Sequence, residues 1–238
     1  MNLIKEELLD VKKRFADPRR TVITSDVSKL EIEDLIAEED VVITVTHGGY
    51  IKRLPMDTYR SQRRGGRGVT GMGTKEEDFV EHLFVATTHH HILFFTDRGR
   101  VYRLKAYDVP EASRTAKGTA IVNLLPLEPK EKITAIIPIR EFSHDRYLFM
   151  ATKNGIIKKT ELMEFDTTRR SGLIAILLAD DDELIGVKLT NGQQKIMLGT
   201  KQGLAIQFSE EDVRPTGRVT QGVKGISLNP GDAVVGMD

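Results

Sequence analysis

Residues 147–159 read YLFMATKNGIIKK, and this stretch decides the fold. An apolar run ends at Asn154-Gly155, and a second run, apolar and then basic, begins at Ile156. A tight turn between antiparallel strands requires positive φ angles, which Asn and Gly adopt at the lowest cost. The stretch therefore predicts a β-hairpin.

The same hairpin pattern occurs four times, roughly every 50 residues, as in proteins built from structural repeats. Its turn glycines are Gly49, Gly99, Gly155 and Gly203, and a Thr stands three residues before each of them. Every copy also has a later basic and glycine landmark and a further short apolar run. The landmarks are Arg67-Gly68, Lys117-Gly118, Arg170-Ser171-Gly172 and Lys224-Gly225. A hairpin with two more strands in each copy predicts a mainly β, propeller-like fold of four-stranded blades.

The repeats divide the chain into a short leading segment and a repeat region. In the leading segment, residues 1–39, apolar side chains at Ile4, Leu8, Val11 and Phe15 recur at helical spacing and predict an amphipathic α-helix over about residues 1–16. The acidic stretch that follows, 31–40, is interpreted as a solvated linker. We place the four blades at 40–90, 91–144, 145–192 and 193–238.

Composition and motifs argue against several classes of site. The chain has no cysteine, which excludes disulfides and thiolate metal sites, and its formal net charge is zero. His89-His90-His91 alternates between strand faces, and Gly66–Gly71 lacks the strand and helix that a dinucleotide fingerprint needs. The sequence thus predicts no metal, no cofactor and no catalytic site. The charged start and the short apolar runs predict a cytoplasmic protein that does not enter a membrane.

Positive charge is concentrated in residues 60–68, RSQRRGGRG, within an otherwise neutral chain. Arginine binds phosphate through a planar, always charged fork, and glycines allow the backbone to approach a duplex closely. Other basic residues recur at matching positions of the blades and predict a curved rim that contacts DNA. The predicted rim residues are Lys52, Arg53, Arg60, Arg103, Arg114, Lys117, Lys158, Lys159, Arg169, Arg170, Arg218 and Lys224. The alternative is that these residues only solubilise the surface.

A seven-residue segment within this stretch resembles a known family. Gln62, Arg63, Arg64, Gly65, Gly66, Arg67 and Gly68 match the signature box of the A subunit of DNA gyrase, a type IIA topoisomerase. The repeats resemble the blades of the C-terminal β-pinwheel of that protein, and residues 3–23 resemble the end of its breakage–reunion domain. The equivalent chain of topoisomerase IV has similar blades but usually a degraded box, so the resemblance favours gyrase.

The resemblance implies a DNA-wrapping domain that is not catalytic by itself. In that family the pinwheel wraps duplex DNA with a positive hand, which lets ATP-driven strand passage introduce negative supercoils, and wrapping requires the box. The active-site tyrosine belongs to the upstream domain, and ATP and Mg belong to the A2B2 holoenzyme formed with the B subunit. The implied partners are double-stranded DNA, the B subunit, and the remainder of the A subunit.

The number of blades departs from the family pattern. The family pinwheel usually has six blades, whereas four are counted here, so the sequence predicts a truncated piece or short form with an open pinwheel. In such a form the last blade lacks a neighbour and the box is partly disordered. The alternative function is a propeller-like module that binds another protein, and a weak salt dependence of binding would identify it.

Overall fold

The computed structural model describes residues 2–17, 21, 32–58, 78–167, 169 and 172–238. The box at 62–68, Arg60 and Arg170 lie outside the described residues. The chain divides into two units, Met1–Leu35 and Ile36–Asp238. Helix α1 (Asn2–Phe15) occupies the first unit and confirms the predicted amphipathic helix. Within the described ranges, no helix is both long and apolar enough to cross a membrane.

The second unit is built of short antiparallel strands joined by turns. The strands are β1 (Asp40–Thr46), β2 (Tyr50–Pro55), β3 (Val80–Thr87), β4 (His91–Thr96), β5 (Arg100–Lys105), β6 (Thr119–Ala120), β7 (Ile133–Ile139), β8 (Tyr147–Thr152), β9 (Ile156–Glu161), β10 (Leu173–Ile174), β11 (Leu184–Thr190), β12 (Lys195–Thr200), β13 (Ala205–Ser209), β14 (Val223–Lys224) and β15 (Val234–Met237). Short 3-10 turns lie at Ile32–Leu35, Met56–Thr58, Ala106–Asp108, Ile121–Asn123, Leu162–Phe165 and Glu210–Asp212.

The strands form four sheets, one around each predicted hairpin. Sheet 1 has the strand order β3-β1-β2-β6, sheet 2 has β10-β5-β4-β7, and sheet 3 has β11-β8-β9-β14. Sheet 4 has three strands within the described residues, in the order β13-β12-β15. All four hairpins pair in antiparallel register across their turn glycines, which confirms the mainly β fold.

One strand of each of the first three sheets comes from the following repeat. Strands β6, β10 and β14 pair with β2, β5 and β9 of the preceding sheet, and we call them donated strands. The sequence predicted four strands per copy but not this exchange. The chain crosses to the preceding sheet after the second hairpin strand and then returns, so consecutive repeats are interlocked.

The glycines before donated strands β6 and β14 allow the two backbones to meet. Gly118 has a φ of +84°, and a Cβ at this position would lie 2.5 Å from the carbonyl oxygen of Ile51. Gly222 has the same place before β14 and a φ of +95°. The fourth landmark is therefore Gly222, and the assignment of Lys224-Gly225 to that position was wrong by three residues. Lys224 itself lies on the donated strand.

Three hydrophobic clusters join consecutive sheets. The first contains Ile43 and Ile92 from sheets 1 and 2, and the third contains Phe149 and Ile196 from sheets 3 and 4. The second lies between sheets 2 and 3 and includes Leu148. Both faces of an inner strand are covered in this stack, which explains the continuous apolar runs in the sequence.

The threonine before each turn glycine has a structural role. In sheet 4 the Oγ1 atom of Thr200 accepts a hydrogen bond from the backbone N–H of Leu204 at 3.1 Å. Asp232 accepts from the N–H of Gln202 at 3.0 Å on the other side of the turn. The matching pairs in sheets 1 and 3 are Thr46 with Asp78 and Thr152 with Asp182. In sheet 2 the Oγ1 atom of Thr96 instead donates directly to the carboxylate of Glu131 at 2.6 Å. The carboxylates were not recognised from the sequence.

Candidate nucleic-acid interface

The basic residues cluster in the loops that lead to the donated strands. We call residues 110–118, 166–172 and 214–222 the basic loops, and each runs from a 3-10 turn to a donated strand. Since every donated strand pairs at the same edge of its sheet, the described residues of the basic loops lie along one edge of the stack. The box occupies the equivalent stretch of the first repeat in the sequence.

Four cations at this edge are exposed and form no ion pair with any carboxylate of the described residues. They are Arg114, Arg169, Arg214 and Lys224. Arg214 was missed in the sequence: only Arg60 of the first repeat is basic at the matching position, whereas the second and third repeats have Pro110 and Asp166 there. Unpaired exposed cations are suited to bind an anionic surface without first breaking an ion pair.

Two other predicted rim residues lie in the basic loops but are partly engaged. The Nζ atom of Lys117 lies 3.4 Å from the ring centroid of Tyr50, a cation–π contact with a neighbouring strand. The Nε atom of Arg218 lies 3.9 Å from a carboxylate oxygen of Glu164. Both side chains remain at the surface, but packing constrains their direction.

Arg53 and Arg103 follow the hairpin turns, and their side chains bind residues of the next repeat. Arg53 donates from Nε to the carbonyl oxygen of Val109 at 3.1 Å. Arg103 forms an ion pair with Asp166 at 3.1 Å and lies over the ring of Phe142. Their side chains are only 17% and 21% exposed, so much of each guanidinium serves contacts between repeats.

Lys52 is buried, and its ammonium is enclosed by backbone carbonyls. Its Nζ atom donates to the carbonyl oxygens of Ser113 at 3.2 Å, Arg114 at 2.5 Å and Ala116 at 3.0 Å. Burial lowers the pKa of Lys52 below its ordinary value. An ammonium has three donors and no acceptor, so each of these three carbonyls can accept one of its hydrogen bonds.

Lys158 has the same arrangement in sheet 3. Its Nζ atom donates to the carbonyl oxygens of Ala175 at 2.8 Å, Thr220 at 3.3 Å and Arg218. Burial, reinforced by the positive charge of Arg218, lowers the pKa of Lys158 to about 8. At neutral pH the group is therefore mainly an ammonium.

The neighbouring Lys159 is also buried. Its Nζ atom donates to the carbonyl oxygen of Glu210 at 3.0 Å and lies 4.7 Å from the ring centroid of Tyr147. Burial removes Lys52, Lys158 and Lys159 from the side chains that can reach a phosphate, contrary to the rim interpretation. They lie on inner strands whose two faces are both covered, once by a neighbouring sheet and once by a loop of the next repeat.

The histidine run makes local contacts instead of a cluster. The Nε2 atom of His89 lies 2.8 Å from the carbonyl oxygen of Ile36, and the Nδ1 atom of His90 accepts from the N–H of Thr87 at 2.9 Å. In the part of the chain that the structure describes, no three His, Asp or Glu side chains gather closely enough to hold a metal ion.

Comparison with known proteins identifies the repeated unit. The family described as the DNA gyrase C-terminal domain, beta-propeller, matches residues 40–87, 90–140, 146–191 and 194–238. The chain belongs to this family. Each matched segment contains one hairpin and the closing strand of the same gyrase-type repeat, which confirms the resemblance of the repeats to gyrase blades.

Relatives in the gyrase family are highly similar over nearly the whole chain. The A subunit of the DNA gyrase of Halalkalibacterium halodurans is 58% identical over 227 residues, which cover 95% of this chain and 27% of the relative. The corresponding protein of Clostridium acetobutylicum is 56% identical over 223 residues, or 94% of this chain and 27% of the relative. The chain thus spans about a quarter of the length of these relatives.

Solved structures of gyrase-type domains share the fold. The C-terminal domain of DNA topoisomerase IV matches with a TM-score of 0.75 and 32% identity, over 85% of this chain and 62% of that chain. A DNA gyrase A C-terminal domain matches with a TM-score of 0.65 and 30% identity, over 84% of this chain and 64% of that chain. The higher sequence identity to the gyrase relatives favours gyrase over topoisomerase IV.

Proposed function

We propose that this domain binds duplex DNA along its basic loops and wraps it, as the DNA-wrapping part of the gyrase A subunit. Arg114, Arg169 and Lys224 carry the proposal, because they are exposed and unpaired in successive repeats at one edge of the stack. Membership of the gyrase C-terminal domain family supports it. A curved series of such contacts favours a bent duplex, since each additional bend brings more phosphates to the protein.

The proposed contacts are to phosphate and not to bases. The exposed groups are Arg and Lys side chains on loops and on a two-residue strand, and phosphate contacts position a duplex without reading its sequence. Arg53 and Arg103 contribute mainly by supporting these loops, whereas Lys117 and Arg218, which are half-buried, are proposed to add further cations to the same surface. Arg60, Arg170 and the box at 62–68 are proposed to extend the same surface into the first and third repeats.

Supercoiling is proposed for the assembled enzyme and not for this domain alone. Strand cleavage, ATP and Mg would be supplied by the other domains of an A2B2 holoenzyme, which the A subunit forms with the B subunit. The domain would determine the path of the DNA segment that the enzyme passes. A wrap of positive hand before strand passage leads to negative supercoils afterwards.

Ligation of nicked circular DNA in the presence of the chain tests the proposal. The unaltered chain is expected to shift the linking number, with an effect that fades as salt rises. Replacing Arg114, Arg169 and Lys224 by Ala should abolish the shift and reduce the slope of log affinity against log salt by about 0.9 for each phosphate that is no longer neutralised.

A matched control replaces three exposed lysines away from the basic loops, Lys188, Lys195 and Lys201, by Ala. It changes the net charge equally and should retain the shift. An equal loss in both triple variants would mean that net charge alone is responsible. Binding without a shift would contradict wrapping, and no binding at all would favour a protein-interaction module.

A further inference from the structure

Two buried lysines contact the basic loops from the inside. Lys52 and Lys158 occupy the same position in their hairpins, three residues after the turn glycine. Lys52 binds carbonyls of the loop 110–118, and Lys158 binds carbonyls of the loop 214–222. Each contact joins residues about 60 positions apart in the sequence, since the loop belongs to the following repeat.

The bound carbonyls belong to residues at matching positions in the two loops. Lys52 binds the carbonyl oxygen of Arg114, and Lys158 binds that of Arg218, four residues before the glycine that precedes each donated strand. In both cases the residue held by its backbone from inside carries a cationic side chain toward the surface. The same arrangement in two repeats indicates a shared structural role for the buried lysine.

We propose that Lys52 and Lys158 are positioning residues of the DNA interface, whose ammonium groups fix the backbones of the two basic loops in the conformation that presents Arg114 and Arg218. The inference rests on the proposed DNA-binding function. Its physical basis is preorganisation: a loop that is already ordered does not lose further conformational entropy when its cations bind phosphate. The carbonyl dipoles also separate the buried ammonium from the positive charges above it.

Sheet 2 uses a different residue at this position. Tyr102 replaces the lysine, and its hydroxyl donates to Glu131 at 3.0 Å and not to the loop. The following loop instead lies against the ring, since a Cβ on Gly172 would be 2.6 Å from a ring carbon. Among the described residues, the ammonium contact therefore occurs at the loops that follow sheets 1 and 3.

Lys158→Met tests the inference, because Met keeps much of the side-chain shape and removes every donor. Lys159→Met is the matched control: it alters the adjacent buried lysine, which donates to Glu210 outside the basic loop. Without DNA, amide hydrogen exchange of residues 216–221 is expected to accelerate about tenfold or more in Lys158→Met. Unchanged exchange in this segment, or equal acceleration in both variants, would overturn the inference.

A double-mutant cycle then connects loop order to DNA binding. In the unaltered chain Lys158→Met should weaken DNA binding about tenfold, but in a chain already carrying Arg218→Ala and Lys224→Ala the further loss should stay below about twofold. Equal losses in both backgrounds would show that Lys158 does not act through these cations, and the inference would fail while the proposed function stood. If the unaltered chain does not bind DNA, the proposed function fails, and this inference with it.

Discussion

Sheets 3 and 4 are built from the same hairpin and differ at one edge. In sheet 3 the second hairpin strand, β9, pairs with donated strand β14, whereas no strand of the described residues pairs with that edge of β13 in sheet 4. Lys158 on β9 is 1% exposed. The matching residue on β13, Ile206, is 37% exposed. Lys158 is thus buried and Ile206 is exposed. Donated strand β14 and the loop before it, and not the hairpin itself, therefore determine burial at this position.

The turn glycines show the same contrast at constant backbone geometry. Gly155 and Gly203 have φ angles of +83° and +87°. A Cβ on Gly155 would lie 2.9 Å from the side chain of Ile226, two residues after donated strand β14, whereas a Cβ on Gly203 would meet nothing within 4 Å. Backbone conformation favours glycine in both turns, but packing requires it in sheet 3 and not in sheet 4.

The largest expected effect separates these two requirements. Gly155→Ala should lower the free energy of unfolding by about 3 to 4 kcal/mol, because the left-handed conformation and overpacking against Ile226 both penalise a Cβ. Gly203→Ala should cost only the conformational part, about 1 to 2 kcal/mol. Urea denaturation followed by circular dichroism measures both variants. Equal losses of unfolding free energy in the two variants would mean that Ile226 does not restrict the space at the turn of sheet 3.

Removing the donated side chain should have the next largest effect. Ile226→Ala truncates a side chain buried in the cluster between sheets 3 and 4 and should cost about 2 to 3 kcal/mol, mostly through reduced burial and the cavity left behind. Ile206→Ala removes the same atoms from a side chain with no covering strand and should cost less than about 1 kcal/mol. The same denaturation experiment compares them, and a reversed order would contradict the burial contrast.

The smallest expected effect is a pH dependence between about pH 8 and 10.5 that sheet 3 should show and the matching position of sheet 4 should not. Burial and the charge of Arg218 lower the pKa of Lys158 to about 8, although Glu164 opposes the shift. The unfolded chain, with the ordinary lysine value of 10.5, holds more protons between these two pH values. The contribution of Lys158 to the free energy of unfolding therefore rises with pH across this window.

Lys158→Met removes that rise. Relative to the unaltered chain, the variant should be less stable at about pH 9.5 than it is at about pH 7, by about 1 to 2 kcal/mol. Ile206→Met has no titrating group to lose, so its difference from the unaltered chain should be the same at both pH values. Urea midpoints at the two pH values test this, and a change of opposite sign for Lys158→Met would refute the role of the buried ammonium.

Local sequence was sufficient for the hairpins but not for the surroundings of their second strands. Asn154-Gly155 between two apolar runs predicts a turn because the required φ angles depend on those residues alone. Two of the three carbonyl partners of Lys158 are Arg218 and Thr220, some 60 residues away, and no local pattern indicates that their loop covers β9. From the sequence, the dibasic pairs after the turns therefore could not be distinguished from solvent-exposed basic residues.

The sequence by itself determined the repeat, the mainly β fold, the leading helix and the family, because each depends on residue types at short spacing. Only the tertiary structure decided which cations are available at the surface. Lys158 and Lys224 lie on neighbouring strands and carry the same charge, yet carbonyls of a distant loop enclose one, and the other remains exposed. Whether a side chain is buried depends on segments that are distant in the sequence. In this fold, strand exchange supplies those segments from the next repeat.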